Sequence, residues 1–242
     1  MKIDWLEQTV GDVPDNNLWL SAREENTLNA MRFPKRRSEW RLGRWTAKQG
    51  VAASLNTPSD WEALAQIEVR AALSGAPEVF IADSPAPIAI SLSHRTGTAM
   101  CAVGPLDCHF GCDLEIVEPR GDAFVADYFT DTEKQRIEIA PGDHRPELVT
   151  LMWSAKESAL KALRAGLRLD TRSVVANPCL ESESSTKAWR PVVVTYADTQ
   201  QFSGWWRLEN SLVRTIVANL PLDIPHRMRL GCPSPERYAV CS

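Results

Sequence analysis

Residues 151–166, "LMWSAKESALKALRAG", carry the pattern on which the fold turns. At 100° per residue, Trp153, Lys156, Glu157, Lys161, Arg164 and Arg168 share one arc, while Met152, Ala155, Ala159, Ala162 and Leu163 share the opposite arc. The spacing predicts a helix that buries one face. Its polar arc holds one carboxylate among four cations. Such an arc is either a solvated surface with an i,i+4 Glu157–Lys161 pair, worth a few tenths of a kcal/mol, or one wall of a site that binds charge.

A second stretch resembles the first. "WTAKQGVAASL" (45–55) and "WSAKESALKAL" (153–163) share Trp, Ala, Lys and the final Leu in register. If the echo reflects duplication, the chain is two units, each a helix packed on a small sheet. Glu157 aligns with Gln49 and Lys161 with Ala53, so one site at the junction is expected rather than two.

The chain of 242 residues is long enough for one large domain or two smaller ones. Its 24% charged and 44% apolar residues are ordinary for a globular protein, and a net charge of −4 gives no general reason to bind nucleic acid. No apolar run reaches the roughly 18–20 residues of a membrane span, and "MKIDWLEQTVGDVPDNN" lacks the apolar core of an export signal. A cytoplasmic protein without nucleic-acid or membrane partners is expected. The six cysteines (101, 108, 112, 179, 232 and 241) form no C-x-x-C pair and read as free cytosolic thiols. The alternative is zinc held by Cys108, His109 and Cys112 with a fourth ligand elsewhere.

Along the chain, a basic, Trp-rich block spans 18–56, and a helix starts after Pro58 with Ser59 or Asp60 as its cap. "PEVFIA" and "IAISLS" read as strands, and "TAMCAVGPLDCHFGCDLEIVE" reads as a hairpin with a Gly-Pro turn. A helical stretch follows at 122–140. "NPCLESESSTKAWRP" reads as a polar loop, "RPVVVTY", "GWWRLE" and "LVRTIVANL" as antiparallel strands, and the Pro-rich C-terminus as irregular.

Three segments could do chemistry. In "GCDLEIVE" (111–118), strand alternation puts Asp113 and Glu115 on one face with Cα atoms about 6.5–7 Å apart, near enough to share a cation. Mg²⁺ suits such a pair, Glu157 could be a third carboxylate, and an exposed acidic strand face is the alternative. In "KRRSEWRLGRWTAK", Arg37, Arg41, Arg44 and Lys48 fall on one helical stripe, with Arg32, Lys35 and Arg36 just before it. That stripe is either a phosphate-binding surface or a solvated basic face. In "ISLSHRTG", Ser93 and His94 end a strand and point to opposite faces, which is poor geometry for a Ser–His catalytic pair. Phosphate or base contacts suit them better, and a structural histidine is the alternative.

In this order, "LGRWTAK", "SGAP", "SLSHRTG", "GCDLE" and "WSAKESALK" resemble the 4′-phosphopantetheinyl transferases of the larger, Sfp-type class, over about residues 32–164. The resemblance implies an α+β fold of two similar halves related by a pseudo-twofold axis. Residues 1–108 would carry the coenzyme-binding basic segment and the Ser-His motif, and residues 109–242 the metal and catalytic motifs. It implies transfer of the phosphopantetheine arm of coenzyme A to a serine of an apo acyl or peptidyl carrier protein, dependent on Mg²⁺ with Mn²⁺ as a substitute, by a monomer. By the resemblance, Asp113, Glu115 and Glu157 hold the metal, and Lys156 and Lys161 meet the pyrophosphate. Glu157 and Lys161 are the catalytic pair. Ser93, His94, Arg37, Arg44 and Arg32 meet the nucleotide end of the coenzyme. Relatives often have Lys where this chain has Ala76, so one phosphate contact is expected to be either lost or supplied by Arg95 instead. Residues 122–150, with Phe124, Tyr128 and Phe129, are the expected carrier-docking element. The alternatives are a non-catalytic binder of coenzyme or carrier and a Mg²⁺-dependent phosphohydrolase.

Overall fold

Both halves of the chain repeat one order of elements. The computed structural model describes residues 1–164, 169–180, 188–197 and 199–230, so Arg168, Cys232 and Cys241 lie outside the described residues. The first half runs β1 (Asp4–Thr9), α1 (Ala22–Asn29), α2 (Pro34–Leu55), α3 (Trp61–Gln66), β2 (Ile67–Ala71), β3 (Pro77–Ile81), the two-residue β4 (Ser84–Pro85), β5 (Ile88–Arg95) and β6 (Thr98–Pro105). The second runs β7 (Phe110–Ile116), α4 (Asp122–Tyr128), α5 (Asp131–Glu138), α6 (Arg145–Ala162), β8 (Val174–Pro178), β9 (Arg190–Tyr196), β10 (Gln200–Glu209) and β11 (Leu212–Ala218).

The sheets repeat as well. In the second half the order is β7-β11-β10-β9-β8, and in the first β1 pairs with β6 and β6 with β5, with β2, β3 and β4 in a small separate sheet. The result is an α+β fold of two similar halves, each with a long helix laid on an antiparallel sheet. The short β12 (His226–Arg227) returns to the first half and pairs in parallel with β1. "TAMCAVGPLDCHFGCDLEIVE" is therefore not a hairpin. Its first strand, β6, bonds β1 and β5, while its second, β7, bonds β11. The connection at Pro105 carries the chain from one half to the other.

The echo "WTAK"/"WSAK" has a buried counterpart in three dimensions. Lys48 of α2 pairs with Glu24 at 2.5 Å, and Lys156 of α6 pairs with Glu133 at 2.5 Å, all four side chains being almost wholly buried. Each glutamate is the third residue of its helix, in a capping box with Ser21 or Thr130. Each also accepts the N–H of the third residue of the following strand, Val69 of β2 or Ala176 of β8. A buried ion pair is tolerated only when such additional bonds satisfy it. In both halves one Lys–Glu pair ties the long helix, the short helix before it and an outer strand together.

Separate apolar cores sit under α2 and α6, and a third cluster joins the halves through Ile3, Trp5, Met100, Cys112, Leu114 and Ile216. Leu114, 1% exposed, points into that third core. Burying one such side chain contributes about 1.5–3 kcal/mol, and strand alternation then forces Asp113 and Glu115 to the opposite face, toward α6.

Candidate active site

Trp153, Glu157 and Lys161 stand at i, i+4 and i+8 on α6 and form one stripe facing β7. The indole N–H of Trp153 donates to Glu115 Oε1 at 3.2 Å, and Lys161 Nζ donates to Asp113 Oδ1 at 2.8 Å and to the Cys112 carbonyl at 2.9 Å. Glu157 lies between these two contacts. Its Oε1 is buried without a hydrogen-bond partner among the described residues, as is Asp113 Oδ2. Ser93 of β5 donates from Oγ to Asp113 Oδ1 at 2.8 Å.

The electrostatics reflect this crowding. Burial, then the charge of Asp113 and more weakly that of Glu115, push the Glu157 carboxyl above its ordinary pKa against the opposing pull of Lys161. Burial and Asp113 likewise raise Glu115, although Arg120, Arg95 and Trp153 oppose them. Burial disfavours the charge on Lys161, but Asp113 and its other acidic neighbours outweigh it and hold the ammonium above the usual lysine value. A cation placed by the two unpartnered oxygens would relieve this repulsion.

Whether a divalent ion fits can be judged from these oxygens. Among the described residues no group of three or more His, Cys, Asp or Glu side chains already stands arranged to hold a metal. Glu115 is engaged elsewhere, with Oε1 on Trp153 and Oε2 near Arg120 at 3.2 Å and Arg95 at 3.4 Å. Asp113 Oδ2 and Glu157 Oε1 are different: hard, anionic, buried and unpartnered. Orphaned buried acceptors cost free energy unless something fills their demand, and oxygen donors of this kind suit Mg²⁺. The pair fits such an ion, with Glu115 adjacent as a third carboxylate.

Other expected contacts are placed elsewhere. Lys156, expected at the pyrophosphate, is wholly buried on Glu133 and lies 5.1 Å from the Phe129 ring, because α6 is covered on this side too. Along the basic stripe of α2, Arg37, Arg41, Arg44 and Lys48 are engaged by groups of the protein itself. Arg37 donates to the carbonyls of Leu28 and Met31, and Arg41 to those of Pro14 and Asn16. Arg44 lies 3.8 Å from Glu24 and stacks over Trp40 at 4.9 Å, and burial lowers its pKa despite Glu24. These cations staple the N-terminal segment to α2. Arg32 and Arg36 remain exposed at the start of that helix. His94 points away from Ser93 and is half exposed, with Nε2 3.8 Å from Glu39 Oε2. Arg95, the candidate to stand in for a lysine at position 76, is instead paired with Glu118 at 2.7 Å and Glu115 at 3.4 Å.

A cleft of about 280 Å³ opens beside the acidic centre, lined by the Gly75–Ala76–Pro77 turn, Leu92, Lys161 and Arg164. Arg164, just past the end of α6, thus joins Lys161, its neighbour on the helical wheel, in a cleft whose wall includes Ala76. Phe124 and Tyr128 of α4 meet Trp153 edge to face with ring centroids 5.1 Å away in each case, and Arg120 lies 4.5 Å above Phe124. Tyr128 is partly exposed, whereas Phe129 is wholly buried and belongs to the core.

Residues 109–216, just under half of the chain, match the model of the 4′-phosphopantetheinyl transferase superfamily. The matched segment contains Asp113, Glu115, Trp153, Glu157 and Lys161. None of the curated proteins matches the chain. Among solved structures, a holo-(acyl-carrier-protein) synthase from Bacillus anthracis str. Ames, in complex with CoA (3′,5′-ADP), is 21% identical to this chain. That likeness covers 42% of this chain and 92% of the synthase, with a TM-score of 0.35.

Proposed function

We propose that this protein is an Sfp-type transferase that moves the phosphopantetheine arm of coenzyme A onto a serine of an apo acyl or peptidyl carrier protein, releasing 3′,5′-ADP. The observation that carries the reading is the pair of unpartnered oxygens, Asp113 Oδ2 and Glu157 Oε1, beside Lys161, inside the segment that matches the superfamily. Asp113 and Glu157, with Glu115 next to them, would hold Mg²⁺ or Mn²⁺. Bound there, the ion supplies positive charge to the pyrophosphate oxygens and lowers their repulsion of an incoming hydroxyl.

This chain's own residues supply the rest. The acceptor serine forms its bond to the phosphorus bearing the pantetheine arm as the bond from that phosphorus to the departing ADP oxygen breaks. Lys161, kept protonated by its acidic neighbours, stabilises charge building on the leaving phosphate. Glu157, through the carboxylate oxygen it does not give to the ion, accepts the serine proton. Arg164 supplies the cleft cation that Ala76 does not. The shelf formed by Phe124, Tyr128 and Trp153 receives the carrier, since it adjoins Glu115 directly. Among the described residues no helix is long and apolar enough to cross a membrane.

The test is chromatography of 3′,5′-ADP released from coenzyme A with Mg²⁺, with and without apo carrier. Release only in the presence of carrier, abolished by EDTA, is expected. Release without carrier would point to a phosphohydrolase, and no release in either case to a non-catalytic binder.

A further inference from the structure

The two halves meet at β5 and β7, edge strands of different sheets with no backbone ladder between them among the described residues. Serine side chains join them instead. Ser91 Oγ accepts the Cys112 N–H at 3.0 Å, and two residues on, on the same face of β5, Ser93 Oγ donates to Asp113 Oδ1 at 2.8 Å. The spacing "SLS" therefore matches the register of β7.

A serine hydroxyl has one proton to donate. Ser93 directs it to Asp113, which sets the hydroxyl against that carboxylate. Asp113 itself is only 5% exposed. Oδ1 accepts from Ser93 and from Lys161 Nζ, while Oδ2 has no donor among the described residues. Lys161 is a rotatable point charge on a long stem and sets distance more than orientation. The short, stiffly held hydroxyl sets orientation.

We infer that Ser93 is a positioning residue: from the N-terminal half it fixes which oxygen of Asp113 is offered to a divalent cation in the C-terminal half. The inference rests on the metal reading above and makes the cation site a property of the joined halves. Groups that orient a metal ligand typically contribute about 10–100-fold to metal affinity.

The experiment is Mn²⁺ titration followed by electron paramagnetic resonance, without coenzyme or carrier, on the full chain and on Ser93→Ala and Ser93→Thr, with thermal unfolding of each in EDTA. Ser93→Ala should weaken Mn²⁺ binding by about 10–100-fold, while Ser93→Thr, which keeps the hydroxyl, stays close to the parent and all three unfold at similar temperatures. Unchanged Mn²⁺ affinity in Ser93→Ala overturns the inference. If Ser93→Thr binds Mn²⁺ as poorly as Ser93→Ala, the hydroxyl is not the cause and the inference also falls. Absence of saturable Mn²⁺ binding in the parent protein would defeat the metal reading itself, and this inference with it, a result distinct from the others.

Discussion

Gly111 of β7 lies so close to Ser158 of α6 that a Cβ at position 111 would stand 2.0 Å from the Ser158 carbonyl oxygen. It would also stand 2.9 Å from the Ala162 nitrogen and from Lys161 Cβ. No side chain can move aside to relieve contacts with helix backbone. The glycine that opens "GCDLE" is therefore there for approach: it lets α6 lie flat on β7 and brings Glu157 and Lys161 down to Asp113. Gly111→Ala is expected to cost about 1–3 kcal/mol or more through overpacking, seen as a lower urea midpoint, and to weaken Mn²⁺ binding because the helix lifts.

The buried Lys156–Glu133 pair predicts a loss of stability rather than of substrate affinity. Removing one member leaves an uncompensated buried charge, at about 3–5 kcal/mol. Lys156→Met should show this in chemical denaturation, and Lys156→Met combined with Glu133→Gln should recover part of it. The folded fraction of the double variant should keep a near-parental KM for coenzyme A. A large rise in KM would return Lys156 to the pyrophosphate.

Little of this was visible locally. The acidic centre was legible because alternation fixes Asp113 and Glu115 on one face and helical spacing aligns Trp153, Glu157 and Lys161. Lys156 was misplaced because a helical wheel reports angle around one helix, not whether α5 and β8 cover its other side. The engagement of Arg37 and Arg41 of α2 escapes a helical wheel for a similar reason: their partners include backbone carbonyls at residues 14, 16, 28 and 31, and carbonyls leave no trace in a sequence. One signal was present. "SARE" (21–24) and "TDTE" (130–133) are both capping boxes, and each supplies the glutamate that the buried lysine of the echo requires. The false hairpin came from a local turn signal, while the true partner of β7 is β11, far along the chain.

Glu157 gives a pH signature. Burial and Asp113 raise its folded pKa, so its contribution to stability is complete below the unfolded carboxylate value, about 4.3, and fades as pH rises through the higher folded value. In EDTA, Glu157→Gln should unfold at nearly the parental temperature around pH 4 and at an increasingly higher one toward about pH 7. Differential scanning fluorimetry across pH would register the divergence. A constant offset at every pH would contradict it.

Arg164 separates binding from chemistry. It lines the cleft beside Ala76 and Lys161, so Arg164→Ala should raise KM for coenzyme A by about tenfold, as for the loss of one hydrogen bond to a charged group, with kcat little changed. Arg95→Ala should act differently. It leaves Glu118 only its 4.0 Å contact with Arg120 and loosens Glu115, so its larger effect falls on kcat.

Intact-mass analysis of an apo carrier protein, incubated with coenzyme A, Mg²⁺ and this protein, reads the central claim directly. The parent chain should add one phosphopantetheine group to the carrier, while Asp113→Asn and Glu157→Gln leave its mass almost unchanged. Full modification by both variants, or none by the parent across acyl and peptidyl carriers, would contradict an active centre built on those two carboxylates.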